Sequence, residues 1–593
     1  MSTFIGNYLR NNRLSRNVSI RQRIMEHREQ YNTHPLIIID LMYYDQLGGY
    51  LHRSSNETKM RDLCGMSRQR LCELENFVSR MKGWGAKLIF ITNGPFLDIS
   101  GQIIPDGDDS KGSSKDWRYA YQCGIIDYLG YAHYSRVAQD ARFIPIERIW
   151  TESVAKIARR YGKILWSWDN TRHQEIAKYA AVHEALAIIS KNYALLMYSG
   201  LAFPRYKLWS LAESNEATME TEEFDPLLVR RTLRLSAKQM RLLGAIADYY
   251  NGTPTFKNFL ERMKIDDNVR TLFNSLATYV KKSAGNLQEL DYLKFARDLF
   301  GEERYIEKYD EFKSVCEGYD VNKILLSTEQ NNDSISMQLK KQDSFNYDIY
   351  HGIKFTCSIT FVDYRYWQLN GEIDLFQIFM TLYQRISGVV LQHKNDTQLV
   401  RYVNIKRSHE EDYATEELMP DFPKDFAVPS LEYMFENAGR MVSSVPDFNL
   451  RLLRFITGLQ FGADQLEFFC KSDQRSQLQD SVTLRYMVSL HMLSPFEADI
   501  FLLAMHKCRR EPALNLPLPE QLNLRAFHLY FTYIKMRTLI KHSFYTAGLD
   551  DSFMDECYLD GVVFQTMFQK WSEAGATEEF RSEVDRYKNY RLY

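Results

Sequence analysis

The first 280 residues alternate short apolar runs of β type with amphipathic helical stretches, and this alternation constrains the fold more than any other feature. Four of the apolar runs are predicted to be buried strands: 36–39, 87–92, 164–168 and 193–198. Strands that alternate with helices are typical of α/β proteins whose sheet is mainly parallel. The sequence therefore predicts an α/β domain with a mainly parallel sheet.

Each predicted strand ends in, or is followed by, a polar or small residue. These residues are Asp40, Asn93, Asp169 and Ser199. In open α/β sheets, ligands bind in the crevice outside the carboxyl ends of the strands. We therefore expect any functional site of this domain to lie at that edge, with these side chains among its components.

The rest of the chain divides by composition. A polar stretch near 329–344 is predicted to be a linker or insertion, and from about residue 428 the pattern is helical almost throughout. We expect three regions: an α/β domain over 1–280, a mixed α/β region over 281–425 that contains the linker, and an all-α carboxyl-terminal domain over 426–593.

Charge and cysteine usage exclude several functional classes. The formal net charge of the 593 residues is −2, so no overall field attracts the chain to nucleic acid or to anionic lipid. The eight cysteines form no C-x-x-C motif and no Cys/His pairing typical of zinc sites. The sequence shows no secretory signal and no apolar stretch of membrane-spanning length, so we expect a soluble intracellular chain without a membrane partner.

Five landmarks in the first 280 residues occur in a recognisable order. They are a short helix at 4–9, LIIID ending in Asp40, KLIFITNGP, YAAVHEALAIISKNYALLMYSG, and LRLSAKQMRLLGAIADYYNG. This series resembles the flap-endonuclease/XPG branch of the PIN-like fold. The resemblance covers roughly half of the chain, and it implies a PIN/XPG-like fold for this region.

The resemblance also implies where metal-binding carboxylates would stand. In that family, two Mg²⁺ ions held by several carboxylates stabilise the attacking and leaving oxygens of a phosphodiester displacement. Asp40 and Asp248 match retained positions, and Glu184 takes the place of one helix glutamate on a face predicted to point toward the core. The degenerate positions are Asn93, Ser199 and Leu201. Two-metal catalysis is therefore not expected, and we expect no catalytic residue, no metal and no cofactor.

The ITNGP segment, with Asn93 where the nucleases have aspartate, is also similar to non-catalytic relatives, namely yeast MKT-type post-transcriptional regulators and, more distantly, constitutive-coactivator-of-PPAR-gamma-like proteins. MKT-type proteins join an XPG-like module to a mixed region and a helical domain. The resemblance implies a cytoplasmic, catalytically inactive scaffold in post-transcriptional regulation of mRNA. It also implies that a Pbp/ataxin-like protein and other mRNP regulators are partners.

Two alternatives remain open at this level. One is a structure-specific nuclease that uses a single Mg²⁺ held by Asp40, Glu184 and Asp248, with Asp169 or Asp45 as a substitute ligand. The other is a non-catalytic RNA-binding protein. The same acidic residues could instead be structural, with Asp40 closing a strand and Asp248 closing a helix.

A basic run and an aromatic stripe are further candidates for binding. The run comprises Arg230, Arg231, Arg234, Lys238 and Arg241, and its last three members are predicted to share one helical face that contacts RNA phosphates, unless the face is simply solvated.

The stripe comprises Phe527, Phe531 and Ile534 on one face of a carboxyl-terminal helix. It is predicted either to line a groove for a partner peptide or to face the core.

Overall fold

The structure is a computed structural model. It describes residues 2–41, 68–93, 154, 157–167, 172–199, 205–210, 219–249, 254–268, 271–284, 292–324, 326, 335, 338–339, 346–351, 355–358, 367, 373–392, 400–405, 414–437, 447–460, 468–469, 474–511, 516–519, 522–554 and 559–593. Asp45, Asp169 and Leu201 lie outside the described residues, as does most of the predicted linker at 329–344.

A twisted α/β sheet organises the amino-terminal half. Its strands among the described residues are β1 (Ser15–Ser19), β2 (Leu36–Asp40), β3 (Lys87–Asn93), β4 (Lys163–Ser167), β5 (Ala187–Ile189), β6 (Lys207–Ser210) and β7 (Glu220–Phe224), in the order β1-β7-β6-β5-β2-β3-β4. Strands β2 to β6 run parallel, whereas β7 is antiparallel to both β6 and β1. The predicted α/β fold with a mainly parallel sheet is confirmed.

The strand order reverses between β2 and β5. The chain builds β2, β3 and β4 outward in one direction and then returns to place β5 and β6 on the opposite side of β2. In α/β sheets, the crevice at such a reversal is the usual place for a ligand site, because the neighbouring connections leave toward opposite faces. The carboxyl ends of β2 and β5 are therefore the first positions at which to look for function.

Helices cover both faces of this sheet. They are α1 (Ser2–Asn11), α2 (Ile20–Tyr31), α3 (Arg68–Gly83), α4 (Arg172–Val182), α5 (Pro226–Leu233), α6 (Ala237–Asp248), α7 (Pro254–Arg262), α8 (Leu272–Ala284), α9 (Tyr292–Phe300) and α10 (Tyr305–Gly318). Alternate residues of β2 enter different cores. Ile38 belongs to the hydrophobic cluster that includes residues of α1, α4 and α6–α10, whereas Ile37 and Ile39 belong to the cluster that includes residues of α2 and α3. This period of two is what a strand buried on both sides requires.

The hydrophobic cluster that contains Ile38 extends past the predicted domain boundary at residue 280. Phe295 of α9 and Phe312 of α10 are buried in the same cluster as Ile38 of the sheet. Their helices also pack against each other and against α6 and α7. Residues on both sides of position 280 thus share one hydrophobic cluster, and the domain boundary there stays a prediction.

The rest of the chain comprises a part with a small sheet and then a helical carboxyl-terminal region, and the helical character of that last region was predicted. The helices described after α10 are α11 (Asn346–His351), α12 (Leu375–Leu391), α13 (Leu431–Asn437), α14 (Asp447–Thr457), α15 (Leu478–Ser489), α16 (Pro495–Arg510), α17 (Leu524–Thr546), α18 (Gly561–Ala574) and α19 (Glu578–Asp585), and strands β8 (Phe355–Ser358), β9 (Val400–Ile405) and β10 (Ala414–Leu418) form a small sheet in the order β10-β9-β8. Among the described residues, no helix combines the length and the apolar character needed to cross a membrane.

Helix α17 is the central helix of this region and is buried along almost its whole length. It contacts α12, α14, α15 and α18. Phe527, Phe531 and Ile534 are therefore core residues, with 5%, 4% and 1% of their surface exposed. The predicted partner groove at these positions is wrong, because neighbouring helices already cover the face that carries them.

The predicted strand over 193–198 is also wrong. Tyr193–Leu196 form a 3-10 helix, and the Asn192 side chain caps it by accepting a hydrogen bond from the Ala194 N–H at 3.1 Å. The strand of this region is the three-residue β5, which ends before Ser190. Both segments are apolar and buried, so hydrophobic periodicity could not separate them.

Candidate functional site at the carboxyl ends of β2 and β5

Asp40 closes β2 at the point where the strand order reverses, and none of its side chain is exposed. Ser190 follows β5, and its hydroxyl donates a hydrogen bond of 3.0 Å to Oδ2 of Asp40. The Ser190 hydroxyl also accepts from the Asn192 N–H at 3.1 Å. A buried carboxylate needs hydrogen-bond partners or a counter-charge, and the neighbouring strand supplies the first of these.

A cation lies on the other side of the same carboxylate. Nε of Arg172, the first residue of α4, is 3.5 Å from Oδ1 of Asp40, and the Arg172 side chain is only 9% exposed. The Asp40 carboxylate and the Arg172 guanidinium therefore form an ion pair inside the protein. Because both groups are screened from water, each depends on the other for its compensation.

His173 is a further residue beside the Asp40 carboxylate and the Arg172 guanidinium, and its side chain is uncharged. Its Nε2 lies 3.8 Å from Oδ2 of Asp40 and 3.2 Å from Nη2 of Arg172. Burial and, to a smaller degree, the positive charge of Arg172 lower the pKa of the His173 imidazole to about 3. The imidazole is therefore neutral at physiological pH and accepts a hydrogen bond from Arg172, whose guanidinium carries the positive charge near Asp40.

Helix α4 presents one face to the sheet, and this face carries the site. Arg172, Glu175, Ile176 and Ala180 are buried at the spacing of three to four residues that defines a helical face. Glu175, with 4% of its surface exposed, is the buried glutamate of this helix.

Glu184 was predicted to fill that position, and the prediction is wrong. Helix α4 ends at Val182, and Glu184 follows it with a backbone φ of 48° and an exposed side chain. The prediction continued the helical periodicity of the apolar residues beyond the end of the helix. At Glu184, the chain has already turned toward β5.

Asp248 lies in aromatic surroundings at the end of α6. Its Oδ2 accepts a hydrogen bond of 2.8 Å from the Tyr319 hydroxyl, and the Tyr319 ring packs on Tyr198 with 4.7 Å between centroids. Burial raises the pKa of the Asp248 carboxyl to about 7, and the Tyr319 hydrogen bond opposes that rise only in part. The carboxyl is thus partly protonated at neutral pH.

Ser199, a predicted degenerate ligand position, serves a structural role. Its hydroxyl donates to the Ala237 carbonyl at 3.0 Å, and its N–H and C=O bond to Tyr319 and Val321 at 3.1 and 3.0 Å. The match to a D-x-D pair at Ser199 and Leu201 was built on the wrong strand. The residues that follow β5 are Ser190, Lys191 and Asn192, and none is a carboxylate.

The other parallel strands end in hydroxyl and amide residues. Asn93 closes β3, where its backbone pairs with Ser167 at the end of β4. Ser210 closes β6, and its hydroxyl lies 3.2 Å from the hydroxyl of Tyr193. Of the strand-end residues described at this edge of the parallel strands, Asp40 is the one carboxylate.

These residues do not fit the pair of magnesium ions that the family resemblance implies. Mg²⁺ prefers several oxygen ligands with negative charge, whereas Asp40 faces a guanidinium and the hydroxyl of Ser190. In the described part of the chain, no group of three or more His, Cys, Asp and Glu side chains has the arrangement of a metal site.

The basic residues predicted to share one helical face are divided between two helices and the turn that joins them. Helix α5 ends at Leu233, Arg234 adopts φ 55°, and α6 begins at Ala237, so the run does not share one helix. Arg241 forms a part-buried ion pair with Asp320, and Arg230 donates to the Leu235 carbonyl at 3.0 Å. Of the run, Arg231, Arg234 and Lys238 are exposed. The prediction of one shared helical face is wrong, whereas RNA contact by the exposed residues stays a prediction.

Sequence reasoning missed Arg172, His173, Glu175 and Ser190. A signal existed for Ser190, because it follows the apolar run ALAII just as Asp40 follows LIII. The sequence contains no comparable signal for Arg172. Its pairing with Asp40 depends on where the preceding segment leads the chain before α4 begins.

Comparison with known proteins gives weak matches. No protein-family model matches the chain, and neither does a curated protein at a significant level. Solved structures overlap it in part. The catalytic core of Rad2 in complex with DNA substrate is 11% identical with a TM-score of 0.26, covering 55% of this chain and 90% of that one.

Two further structures overlap similarly. Human GEN1 in complex with Holliday junction DNA is 12% identical, with a TM-score of 0.29 and coverage of 70% of this chain and 87% of that one. Flap endonuclease-1 from Methanococcus jannaschii is 14% identical, with a TM-score of 0.25 and coverage of 52% and 96%. Because these TM-scores are low, the fold class rests on the strand order and contacts of the chain itself.

Proposed function

We propose that this chain is a catalytically inactive, nuclease-like scaffold that acts in post-transcriptional regulation of mRNA in the cytoplasm and recruits protein partners into mRNP complexes. The observation that carries the first part is the engagement of Asp40 by Arg172 and Ser190 at the strand-order reversal. The second part rests on the resemblance to MKT-type regulators, which implies a Pbp/ataxin-like partner.

Electrostatics favours inactivity at Asp40. A divalent ion bound to the carboxylate would come within a few ångströms of the Arg172 guanidinium. At about 4 Å and an effective dielectric constant of about 20, the repulsion between a double and a single positive charge amounts to roughly 8 kcal/mol. The described strand ends offer hydroxyls and amides in place of the acids that would offset this repulsion.

The architecture is suited to a scaffold. An α/β unit precedes a large helical region, and the polar groups at the reversal contact one another: Asp40 is bonded to Ser190 and paired with Arg172, which contacts His173. A site arranged in this way stabilises the fold. It does not leave a carboxylate poised for a substrate or a metal.

A nuclease assay tests the inactive state. Full-length protein is incubated with labelled single-stranded RNA, single-stranded DNA and flap DNA in Mg²⁺ and in Mn²⁺, beside an Asp40→Ala variant. We expect no cleavage above the level of the variant. Cleavage by the wild type that disappears in Asp40→Ala would establish a metal-dependent nuclease and overturn the proposal.

Affinity capture from cell extract, with and without RNase, tests the scaffold. We expect mRNP regulators, including a Pbp/ataxin-like protein, to co-purify after RNase treatment. Loss of all such proteins on RNase treatment contradicts recruitment through direct protein contacts.

A further inference from the structure

The amino-terminal 25 residues hold five arginines and no acidic residue, although the whole chain carries a net charge of −2. The arginines are Arg10, Arg13, Arg16, Arg21 and Arg23. The structure places this segment on α1, β1 and the start of α2, at one edge of the large sheet. A local positive surface thus exists where overall composition predicts none.

Two glutamates of β7 neutralise part of this charge. Glu222 pairs with Arg10 at 2.9 Å, and Glu223 pairs with both Arg16 and Arg23. Glu223 is buried and also accepts from the Trp209 indole at 3.0 Å. Arg23 also pairs with Glu26 at 3.0 Å, so three carboxylates balance the three paired arginines, and the positive charge in excess is that of Arg13 and Arg21. The Arg16 side chain remains 61% exposed despite its pairing.

Arg13 and Arg21 are exposed at the two ends of β1. Neither forms an ion pair or a side-chain hydrogen bond with any residue in the described part of the chain. Arg13 lies in the turn before β1 with φ 54°, and Arg21 lies in the first turn of α2. With Arg16 between them, three arginines follow the edge strand.

The edge strand adds backbone donors to these side chains. Among the described residues, β1 pairs with β7 alone, and the Ile20 N–H donates to the Met219 carbonyl. In an antiparallel ladder, alternate residues point their N–H groups to the partner strand and away from it. The N–H groups of Ser15, Asn17 and Ser19 are therefore directed to the open side of β1.

We infer that this edge, defined by β1 with Arg13, Arg16 and Arg21, binds the phosphate backbone of single-stranded RNA. The inference rests on the proposed role in mRNA regulation and names a contact for it. Arginines, small polar side chains and backbone N–H groups are the donors that proteins use on phosphates. They give affinity without base specificity, so the contact holds RNA by its backbone.

An acidic peptide added as an extra strand is the competing occupant. Specific strand addition uses pockets for alternate side chains of the peptide. Apart from Val18, which is partly covered, β1 consists of Ser, Arg and Asn, so this surface presents donors rather than apolar pockets. The donors fit a chain of phosphates better.

The test measures binding of fluorescein-labelled oligo(U) RNA to the full-length protein, in EDTA, over a range of salt concentrations. The variant is Arg13→Gln/Arg21→Gln, and the matched control is Arg581→Gln/Arg586→Gln, which removes two exposed arginines of the carboxyl-terminal region. Each phosphate contact on a single strand contributes about 0.7 to the slope of log K against log salt. We expect the variant to lower the slope by about 1.4 and to weaken binding roughly tenfold or more at low salt.

The control is expected to keep the wild-type slope. Unchanged binding in Arg13→Gln/Arg21→Gln, or an equal loss in the control, overturns the inference. Binding of a poly-glutamate peptide that the variant abolishes, with no binding of oligo(U), overturns it in favour of an acidic protein partner. EDTA prevents metal-dependent cleavage, so the RNA-binding measurement is independent of the nuclease assay. If Arg13→Gln/Arg21→Gln still captures protein partners after RNase treatment, loss of RNA binding is separated from loss of the scaffold function.

Discussion

Nε of Arg172 lies 3.5 Å from Oδ1 of Asp40, and less than a tenth of either side chain is exposed. The pair joins the end of a central strand to the first turn of the helix that precedes β5. A charge buried to this degree is stable only while its partner is present. The structural consequence can be measured without assuming any function.

Substitution Arg172→Met keeps an unbranched, flexible side chain, although a shorter one, and removes the charge. It leaves the Asp40 carboxylate buried with the Ser190 hydroxyl as a donor, and we expect a loss of about 3–5 kcal/mol in the free energy of unfolding. The double variant Asp40→Asn/Arg172→Met removes both charges. We expect a coupling energy of roughly 1–3 kcal/mol between the two sites, measured by urea unfolding of the four proteins in the cycle.

The exposed pair of Arg160 and Glu75 supplies the control. Its atoms are 2.9 Å apart, but the side chains are 46% and 32% exposed. Solvent screens such a pair, so Arg160→Met is expected to cost less than about 1 kcal/mol. Equal costs for Arg172→Met and Arg160→Met contradict a buried ion pair at Asp40.

Asp248 makes stability depend on pH. Its pKa is raised from 3.8 to about 7 in the folded chain, so folding favours the protonated carboxyl. The resulting stabilisation is fully present below about pH 4 and is lost as the pH rises through 7. In Asp248→Asn, the amide oxygen still accepts from Tyr319 but does not titrate. The variant is expected to gain stability relative to the wild type between pH 4 and pH 8 in urea unfolding, and parallel curves over that range contradict the raised pKa.

The sequence predicted the strands that have a strong local signal. LIIID and KLIFITN are continuous runs of β-branched and aliphatic residues that end in a polar residue, and both are central parallel strands. The short β5 was missed because a longer apolar run, YALLMY, comes soon after its three residues. This run begins with a buried 3-10 helix, and its hydrophobic pattern is the same as that of a buried strand.

The site was predicted less well than the fold, because its contacts are non-local. Asp40 was identified from its place at a strand end, but Ser190 is separated from it by 150 positions in the chain. The choice of Glu184 over Glu175 depended on where α4 ends, and helix ends are among the least reliable features of a sequence prediction. No local pattern shows that an arginine faces the carboxylate.

Gly388 permits a close approach between α12 and the segment that follows β10. A Cβ at this position would lie 1.8 Å from the Asp421 carbonyl oxygen, and the Asp421 N–H bonds to the Gln384 carbonyl of the same helix at 2.9 Å. Because the obstacle is backbone, Gly388→Ala is expected to lower the free energy of unfolding by about 1–3 kcal/mol or more. Gly83→Ala, where nothing lies within 4 Å, is the control and is expected to be neutral or slightly stabilising. A neutral Gly388→Ala contradicts the packing of this segment on α12.

Phe531 distinguishes a core position from a binding groove. Its ring is 4% exposed and lies 4.7 Å from that of Phe527 on the same helix. Because it is enclosed by neighbouring helices, Phe531→Ala creates a cavity and is expected to cost about 3–5 kcal/mol, whereas Tyr433→Ala, at a side chain 50% exposed, is expected to cost much less. The measurements are urea unfolding and partner capture at a temperature where both variants are folded. If Phe531→Ala keeps wild-type stability and loses a partner, the residue lies in a groove after all. The opposite result, lost stability with capture retained, identifies it as part of the core that holds α17 in place.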